Sequence, residues 1–317
     1  PMLATRNLAF VIWQAPGVFT FARLRGTFHP LDANRKDRCV MDEIYEVYAL
    51  KYAERNGRTR ADSYLFDDDH ATPHGMDYYL WVIRNETRTI IVDTGYDAEE
   101  GARRGRPILT EPAEVLRQFG VEAGEVDTVI LTHLHYDHAG TLDRFPNATF
   151  HLQAAEMAFA TGPCMCHDIL RMPFTLDHVA KVLERVYSGR VVFNDGDGIV
   201  APGIEVCAMG GHSRGLQSVR VKTARGWLVL ASDATHFYEN YLGEKLFPIV
   251  IDAEAMVKAF RRLPLLATSP EMIIPGHDKL VRSFFPRVAG DDKGAAIHRL
   301  DVAPTDALAA MLAPYGH

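Results

Sequence analysis

Residues 126–138 read VDTVILTHLHYDH, an almost unbroken apolar run that leads directly into three histidines and an aspartate. Such an apolar run is typical of a strand buried on both faces. His133, His135, Asp137 and His138 therefore stand where the chain leaves a sheet, and their side chains can converge on one cleft. Imidazole and carboxylate are ligands that zinc, iron and manganese accept. The stretch predicts a metal site at the end of a buried strand.

Three further polar residues occupy the same kind of position. His212 lies just past the apolar stretch 204–209, Asp233 ends the stretch 227–233, and His277 follows the stretch 272–275. Glycines precede His212 and His277, which lets the backbone approach closely there. Taken together with the first four residues, this set at successive strand ends predicts one functional site.

The order of elements predicts an α/β (α+β) fold. Alternating or continuous apolar runs predict strands at 44–53, 78–84, 89–93, 126–132, 148–152, 190–193, 204–209, 218–222, 227–232 and 272–275. Periodicity and capping predict helices at 111–119, 153–160, 176–187 and 252–263, the first capped by Thr110 and the last by Asp252. Strands dominate early and helices alternate with strands later, which indicates a two-sheet sandwich with helices outside.

The domain boundaries predicted from the sequence are an arm at 1–40, a catalytic domain at 41–290 and a weakly patterned tail at 291–317. The arm is rich in large apolar side chains, so we expect it to pack on the body or on a second subunit, which would make a homodimer.

Composition excludes several classes of function. The net charge of -7 does not favour a nucleic-acid partner, and no apolar stretch is long enough to predict a membrane span. A broken apolar run near the N-terminus does not resemble a secretory signal, so we expect a cytoplasmic protein. The four cysteines, Cys39, Cys164, Cys166 and Cys207, are expected to be reduced thiols.

The motifs THLHYDH, GGHS, SDA and PGHD, with IIVDTG before them, resemble those of the metallo-β-lactamase superfamily over about residues 41–285. The resemblance implies a four-layer αβ/βα sandwich that binds two divalent metal ions, foremost Zn²⁺, with Fe, Mn or Co as alternatives. It implies that Asp93 is a buried structural aspartate. It also implies one metal bound by His133, His135 and His212, a second by Asp137, His138 and His277, and Asp233 as the bridge.

Two metal ions that share a hydroxide can hold it as a nucleophile near neutral pH. Within the superfamily the chain most resembles the N-acyl homoserine lactonases, which implies a small lactone as substrate. Those enzymes usually carry a tyrosine three residues after the bridging aspartate, where this chain has His236, and Tyr238 follows two residues later. The candidate catalytic residues are therefore Asp137, His236 and Tyr238, and we hypothesise that His236 supplies the acid.

Other reactions remain open because the ligands do not select the substrate. A thioester hydrolase of the glyoxalase II type would need a helical C-terminal domain with basic residues. Other esters, a phosphodiester, or metals that only stabilise the fold are further alternatives. Residues 158–173, with Phe159, Met165, Met172 and Phe174 nearby, are predicted to form a wall or lid of the pocket.

Overall fold

The computed structural model describes residues 43–315, and these belong to one compact unit. The predicted arm at 1–40 lies outside the described residues, as does Cys39. The described residues form two sheets. Their strands are β1 Glu46–Arg55, β2 Met76–Arg84, β3 Thr89–Val92, β4 Thr128–Ile130, β5 Thr149–Gln153, β6 Val191–Asn194, β7 Gly198–Ala201, β8 Ile204–Ala208, β9 Gln217–Thr223, β10 Gly226–Ser232, β11 Ile273–Pro275, β12 Arg287–Gly290 and β13 Ala296–Arg299.

The larger sheet has the order β12-β13-β1-β2-β3-β4-β5-β6, and the smaller has the order β11-β10-β9-β8-β7. Helices connect and cover them. They are α1 Ala98–Arg104, α2 Pro112–Gln118, α3 Ala154–Ala160, α4 Asp168–Arg171, α5 Leu176–Tyr187, α6 Tyr238–Leu242, α7 Ala253–Leu266, α8 Leu280–Phe284 and α9 Asp306–Leu312.

Strand β1 shows how the layers form. Val47 and Ala49 belong to the apolar cluster shared with the smaller sheet and α7. Tyr48 and Leu50, on the opposite face, belong to the cluster shared with α2, α3 and α5. Because successive side chains of a strand point to opposite faces, a strand buried on both sides must be apolar throughout. The result is the predicted four-layer sandwich of helix, sheet, sheet and helix.

Strand direction determines where the site lies. Strands β3 and β4 run parallel in the larger sheet, and β10 and β11 run parallel in the smaller sheet. Strand β8 pairs antiparallel with β9, which pairs antiparallel with β10, so β8 and β10 end at the same edge. The segments that follow β4, β8, β10 and β11 therefore leave their sheets where ligands usually bind in such folds.

Most predicted elements are confirmed, including α5 at its predicted bounds and α7 with its cap, where Asp252 accepts a hydrogen bond from the N–H of Ala255. One predicted helix cap was wrong. Residue Glu111, not Thr110, precedes α2, because the Thr110 hydroxyl instead donates to Asp291 at 2.7 Å. The short elements α1, α4, α6, α8, β7 and β12 were not predicted.

The segment after residue 290 contains more structure than its weak pattern suggested. Strand β13 pairs with β1 inside the larger sheet, with Ile297 opposite Leu50. Helix α9 buries Leu308 and Leu312 in the core shared by the two sheets. These elements were missed because their burial depends on distant partners rather than on local periodicity.

No helix within residues 43–315 has both the length and the apolarity needed to cross a bilayer. Cys164, Cys166 and Cys207 are free, in agreement with the expected thiols. The described part of the chain therefore gets its stability from packing rather than from bridges among these three cysteines.

A leucine in α9 tests whether this helix belongs to the core. Leu308 is fully buried, so Leu308→Ala should lower the free energy of unfolding by about 2–4 kcal/mol through lost burial and a cavity. The matched control is Leu265→Ala in α7, whose side chain is 81% exposed and whose loss should cost little. Chemical denaturation measures both. Equal midpoints for the two variants would contradict a structural role for α9.

Candidate metal centre

Seven side chains with metal-binding groups meet where the strands end, and all are buried. They are His133, His135, Asp137, His138, His212, Asp233 and His277. The first four lie in the segment after β4, and the other three follow β8, β10 and β11 in turn. The tertiary structure thus brings together every ligand candidate that the sequence indicated.

The seven residues divide into two groups of three around one aspartate. Donor atoms of His133, His135 and His212 lie within 4.8 Å of one another. Donor atoms of Asp137, His138 and His277 also lie within 4.8 Å of one another. Each group has the size of a coordination sphere with positions left open, which is typical of catalytic rather than structural zinc sites.

Asp233 lies between the groups and turns one oxygen toward each. Its Oδ1 is 3.3 Å from Nε2 of His138 and 3.1 Å from Nε2 of His277. Its Oδ2 is 3.0 Å from Nε2 of His212 and 3.8 Å from Nε2 of His133. A carboxylate in this position can contribute one oxygen to each of two metal ions.

Buried polar atoms without a hydrogen-bond partner indicate whether these residues fit a metal ion. Among the described residues, the Nε2 atoms of His133, His138 and His212 and the Oδ1 of Asp233 are buried with no hydrogen-bond partner. Buried polar atoms without partners are rare and costly, and several at one point require an explanation. Divalent cations would satisfy all of them at once, so the donor set fits a metal centre.

The other ring nitrogens of these histidines are held by the protein. Nδ1 of His138 lies 2.7 Å from Oδ2 of Asp93, and Nδ1 of His212 lies 2.6 Å from the carbonyl oxygen of Ile249. Nδ1 of His277 lies 2.9 Å from the carbonyl oxygen of Asp77. When Nδ1 donates to such an acceptor, Nε2 carries no proton and keeps a lone pair that can bind a metal ion.

Asp93 also fixes the start of the histidine segment. Its carboxylate accepts the N–H of Thr132 at 2.7 Å and the Thr132 hydroxyl at 2.8 Å. The same hydroxyl lies 2.9 Å from the hydroxyl of Ser232, which joins the two sheets. Asp93 and Ser232 have φ values of 61° and 49°, unusual for residues with a side chain. Such conformations cluster where a site is built, which supports the structural role that the resemblance implied for Asp93.

Glu156 was missed by the sequence analysis. From the start of α3 its buried carboxylate accepts the N–H of Leu134 at 3.0 Å, the Ser213 hydroxyl at 2.5 Å and the N–H of Gly215 at 2.8 Å. It thereby links the segment that carries His133 and His135 to the segment that carries His212. No local motif marks it, because its partners are distant in sequence.

The pKa values of the candidate histidines influence how readily they bind a metal ion. Burial lowers the pKa of His133 and His135 well below the ordinary value, so both are neutral. Burial also lowers the pKa of His138, but the neighbouring carboxylates, led by Asp233, outweigh it and raise that pKa well above the ordinary value. A proton on His138 would compete with a metal ion, so metal binding should weaken as the pH falls.

Of the two candidate acids, only His236 faces this site. Its Nε2 lies 2.8 Å from Oδ2 of Asp233, and its ring stacks on Phe247 with centroids 3.8 Å apart. Tyr238 does not face the metal centre, in contrast to the prediction. Its ring packs against Phe284, and it lines a different cavity with Tyr64. The tyrosine begins α6, which turns its side chain away from the histidines.

An apolar wall lies beside the metal centre, as the sequence predicted. Phe159, Met172 and Phe174 line a cavity with His135 and His212. Met165, the fourth predicted wall residue, packs instead against the core beneath the helices. Ile169 adds an apolar side chain that is 74% exposed, so this cavity has an open apolar mouth.

Residues 77–277 match the family model described as "Metallo-beta-lactamase superfamily". The chain belongs to the metallo-β-lactamase superfamily. An N-acyl homoserine lactonase of Bacillus cereus is 26% identical over 216 residues, covering 63% of this chain and 80% of the relative. Another from Bacillus sp. is 28% identical over 221 residues, covering 64% and 82%.

Solved structures of this superfamily agree with the fold. A quorum-quenching N-acyl homoserine lactone lactonase aligns with a TM-score of 0.63 at 23% identity, over 77% of this chain and 97% of that one. A hydrolase of the beta lactamase superfamily aligns with a TM-score of 0.61 at 18% identity, over 81% and 94%. These structures agree with the fold, and the family match, the curated relatives and the convergent donor set identify the chain as a metal-dependent hydrolase.

Replacement of Asp93 tests its support of His138. Asn keeps the size and tolerates the positive φ, but its amide nitrogen cannot accept the hydrogen bonds made to Oδ2. Asp93→Asn should weaken the affinity for one metal ion by about 10- to 100-fold. Competition with a chelator measures this affinity. Asp143→Asn, a substitution at a half-exposed surface aspartate, is the control, and equal affinities would contradict the role.

Proposed function

We propose that this protein is a dinuclear metal-dependent hydrolase that opens a lactone ring. The observation that carries the proposal is Asp233, whose two oxygens face separate groups of three ligand candidates. We propose His133, His135 and His212 as ligands of one ion and Asp137, His138 and His277 as ligands of the other. The histidine-rich set favours zinc.

Two divalent ions bound here would supply a water of lowered pKa and a Lewis acid for the carbonyl oxygen. The chain supplies the remaining requirements. Asp93 and the carbonyl oxygens of Ile249 and Asp77 orient the histidines. The wall that includes Phe159 and Phe174 excludes water from one side of the site and can receive an apolar substituent of the substrate.

Lactone hydrolysis is favoured over thioester hydrolysis by the relatives of this chain. Two that share 26% and 28% identity with it are named N-acyl homoserine lactonases.

His236 is our candidate for the group that assists the leaving oxygen. Burial lowers the pKa of His236 to about 3, with Asp233 acting in the opposite direction. The ring is therefore neutral at pH 7, and its one N–H, which Oδ2 of Asp233 accepts in this structure, is the proton that it would turn toward an oxygen of the substrate. A neutral imidazole in a buried site is suited to stabilise charge that develops on an oxygen.

A panel of lactones tests the proposed function. It contains acyl homoserine lactones of several chain lengths, aliphatic γ- and δ-lactones and an aromatic lactone, beside a thioester and a phosphodiester. We expect turnover of a lactone by protein that holds about two metal ions per chain. The control variant is Asp233→Asn, which should lower both metal content and rate.

Metal content and turnover measured on the same sample separate the outcomes. Two ions per chain without lactone turnover would overturn the lactone assignment and retain the metal centre. About one ion per chain with no turnover of any substrate would overturn the dinuclear assignment as well. Full activity of Asp233→Asn would contradict the role proposed for this carboxylate.

The leaving group tests His236. If His236 assists an alkoxide, His236→Ala should lower kcat by about 100- to 1000-fold for an aliphatic lactone, whose leaving oxygen is strongly basic. The same variant should lose much less on an aromatic lactone whose ring oxygen is phenolic, because the phenolate that it releases needs little assistance. Metal content is measured alongside. An equal loss on both lactones at unchanged metal content would contradict this role.

A further inference from the structure

A wall of the metal-centre cavity is basic. Arg55, Arg58 and Arg106 line the same cavity as His135, Asp137, His212, Asp233, His236 and His277. Arg55 ends β1, Arg58 lies in the segment that follows it, and Arg106 follows α1. Arg106 is distant in sequence from Arg55 and Arg58, so only the tertiary structure brings the three together. We call them the arginine wall.

Arg58 is the most informative member of the arginine wall, because it is only 6% exposed. One of its terminal nitrogens donates to the carbonyl oxygen of Asp62. Among residues 43–315, its Nε and its other terminal nitrogen are buried with no hydrogen-bond partner. A buried guanidinium is costly unless it is paired. Two donors without a partner, on a residue that lines the cavity, therefore favour a ligand that accepts hydrogen bonds.

Arg106 connects the arginine wall to the metal centre. It donates to the hydroxyl of Tyr136, the residue between His135 and Asp137. The Tyr136 hydroxyl lies 3.3 Å from that of Tyr78, whose ring lies edge-on to His277 with centroids 5.3 Å apart. A group bound by Arg106 would therefore lie close to the bond that the metal centre attacks.

No acidic side chain within residues 43–315 forms an ion pair with the arginine wall, because none has a carboxylate oxygen within 4.0 Å of a guanidinium nitrogen of Arg55, Arg58 or Arg106. Asp62 and Asp137 line the same cavity and act on Arg58 and Arg106 from beyond that distance. The guanidinium groups of this wall are therefore free of direct ion pairs and can donate to a substrate.

We propose that the substrate carries an anionic oxygen group, a carboxylate or a phosphate, and that Arg58 and Arg106 bind this group beside the scissile ester. This inference rests on the proposed function. A guanidinium offers paired N–H donors that match both groups. The apolar wall with Phe159 and Phe174 accepts the remainder of the molecule. A neutral acyl homoserine lactone offers carbonyl oxygens but no negative charge to the guanidinium groups, so we expect it to be the poorer substrate.

Matched pairs of lactones test this inference. One pair is γ-butyrolactone with a ring carboxylate and the same lactone with a carboxamide in its place. The other pair is a sugar δ-lactone with and without a terminal phosphate. We expect kcat/KM to favour the anionic member of one pair by about 10- to 100-fold. The pair with the larger ratio identifies which anion the site takes.

Substitutions then assign the preference to the arginine wall. In Arg58→Gln, and separately in the half-buried Arg106→Gln, the ratio of anionic to neutral kcat/KM should fall toward one, mainly through KM. Arg117→Gln is the control, because this exposed arginine pairs with Glu114 on α2. The Arg117→Gln variant should have the same ratio of anionic to neutral kcat/KM as the parent protein. Rates are compared only between proteins whose metal content and melting temperature agree with those of the parent protein.

Three results would overturn the inference. The first is a ratio near one for both pairs in the parent protein. The second is an unchanged ratio in both arginine variants. If no lactone is turned over, the proposed function fails, and calorimetric titration with succinate and with inorganic phosphate decides the anion site alone. Binding that Arg58→Gln weakens supports the site, and absence of binding by the parent is the third contrary result.

Discussion

The carboxylate of Asp233 between two groups of buried histidines is the interaction on which the rest of this structure depends. An ionised group so deeply buried is tolerated only where positive charge surrounds it. Its Oδ1 lies near His138 and His277, and its Oδ2 lies near His212. These histidines hold the pKa of Asp233 well below the ordinary value in spite of burial. The same arrangement leaves several nitrogens without partners. It is therefore incomplete as a protein cluster and suited to bind cations.

The supporting contacts give this cluster its rigidity and join the two sheets. The hydroxyls of Thr132 and Ser232 meet across the sheets, and Asp93 holds both Thr132 and His138. Glu156 ties together two of the ligand-bearing segments. Because the hydrogen bonds made by their Nδ1 atoms are buried, His138, His212 and His277 are fixed in orientation before a metal arrives. Metal binding would in turn stabilise the fold, since the same segments close the sandwich.

Two adjoining cavities at the metal centre have walls of opposite character. Aromatic and aliphatic side chains from the region of α3 and α4 form one wall, and the arginine wall forms another. The metal centre can account for ester hydrolysis in general, but it does not discriminate between esters. Discrimination must come from these walls. An amphipathic molecule, apolar at one end and anionic near the scissile bond, would satisfy both of them.

The sequence by itself determined the ligand candidates and the fold class. His133, His135, Asp137 and His138 follow a buried strand within one short stretch, and local patterns of that kind survive any tertiary arrangement. Only the tertiary structure decided that His236 faces the site and Tyr238 does not, because α6 begins at the tyrosine and turns its ring away. It alone revealed Glu156, the arginine wall and the place of β13 beside β1. In each of these cases the partners are distant in the chain, and neither periodicity nor motif spacing records contacts of that range.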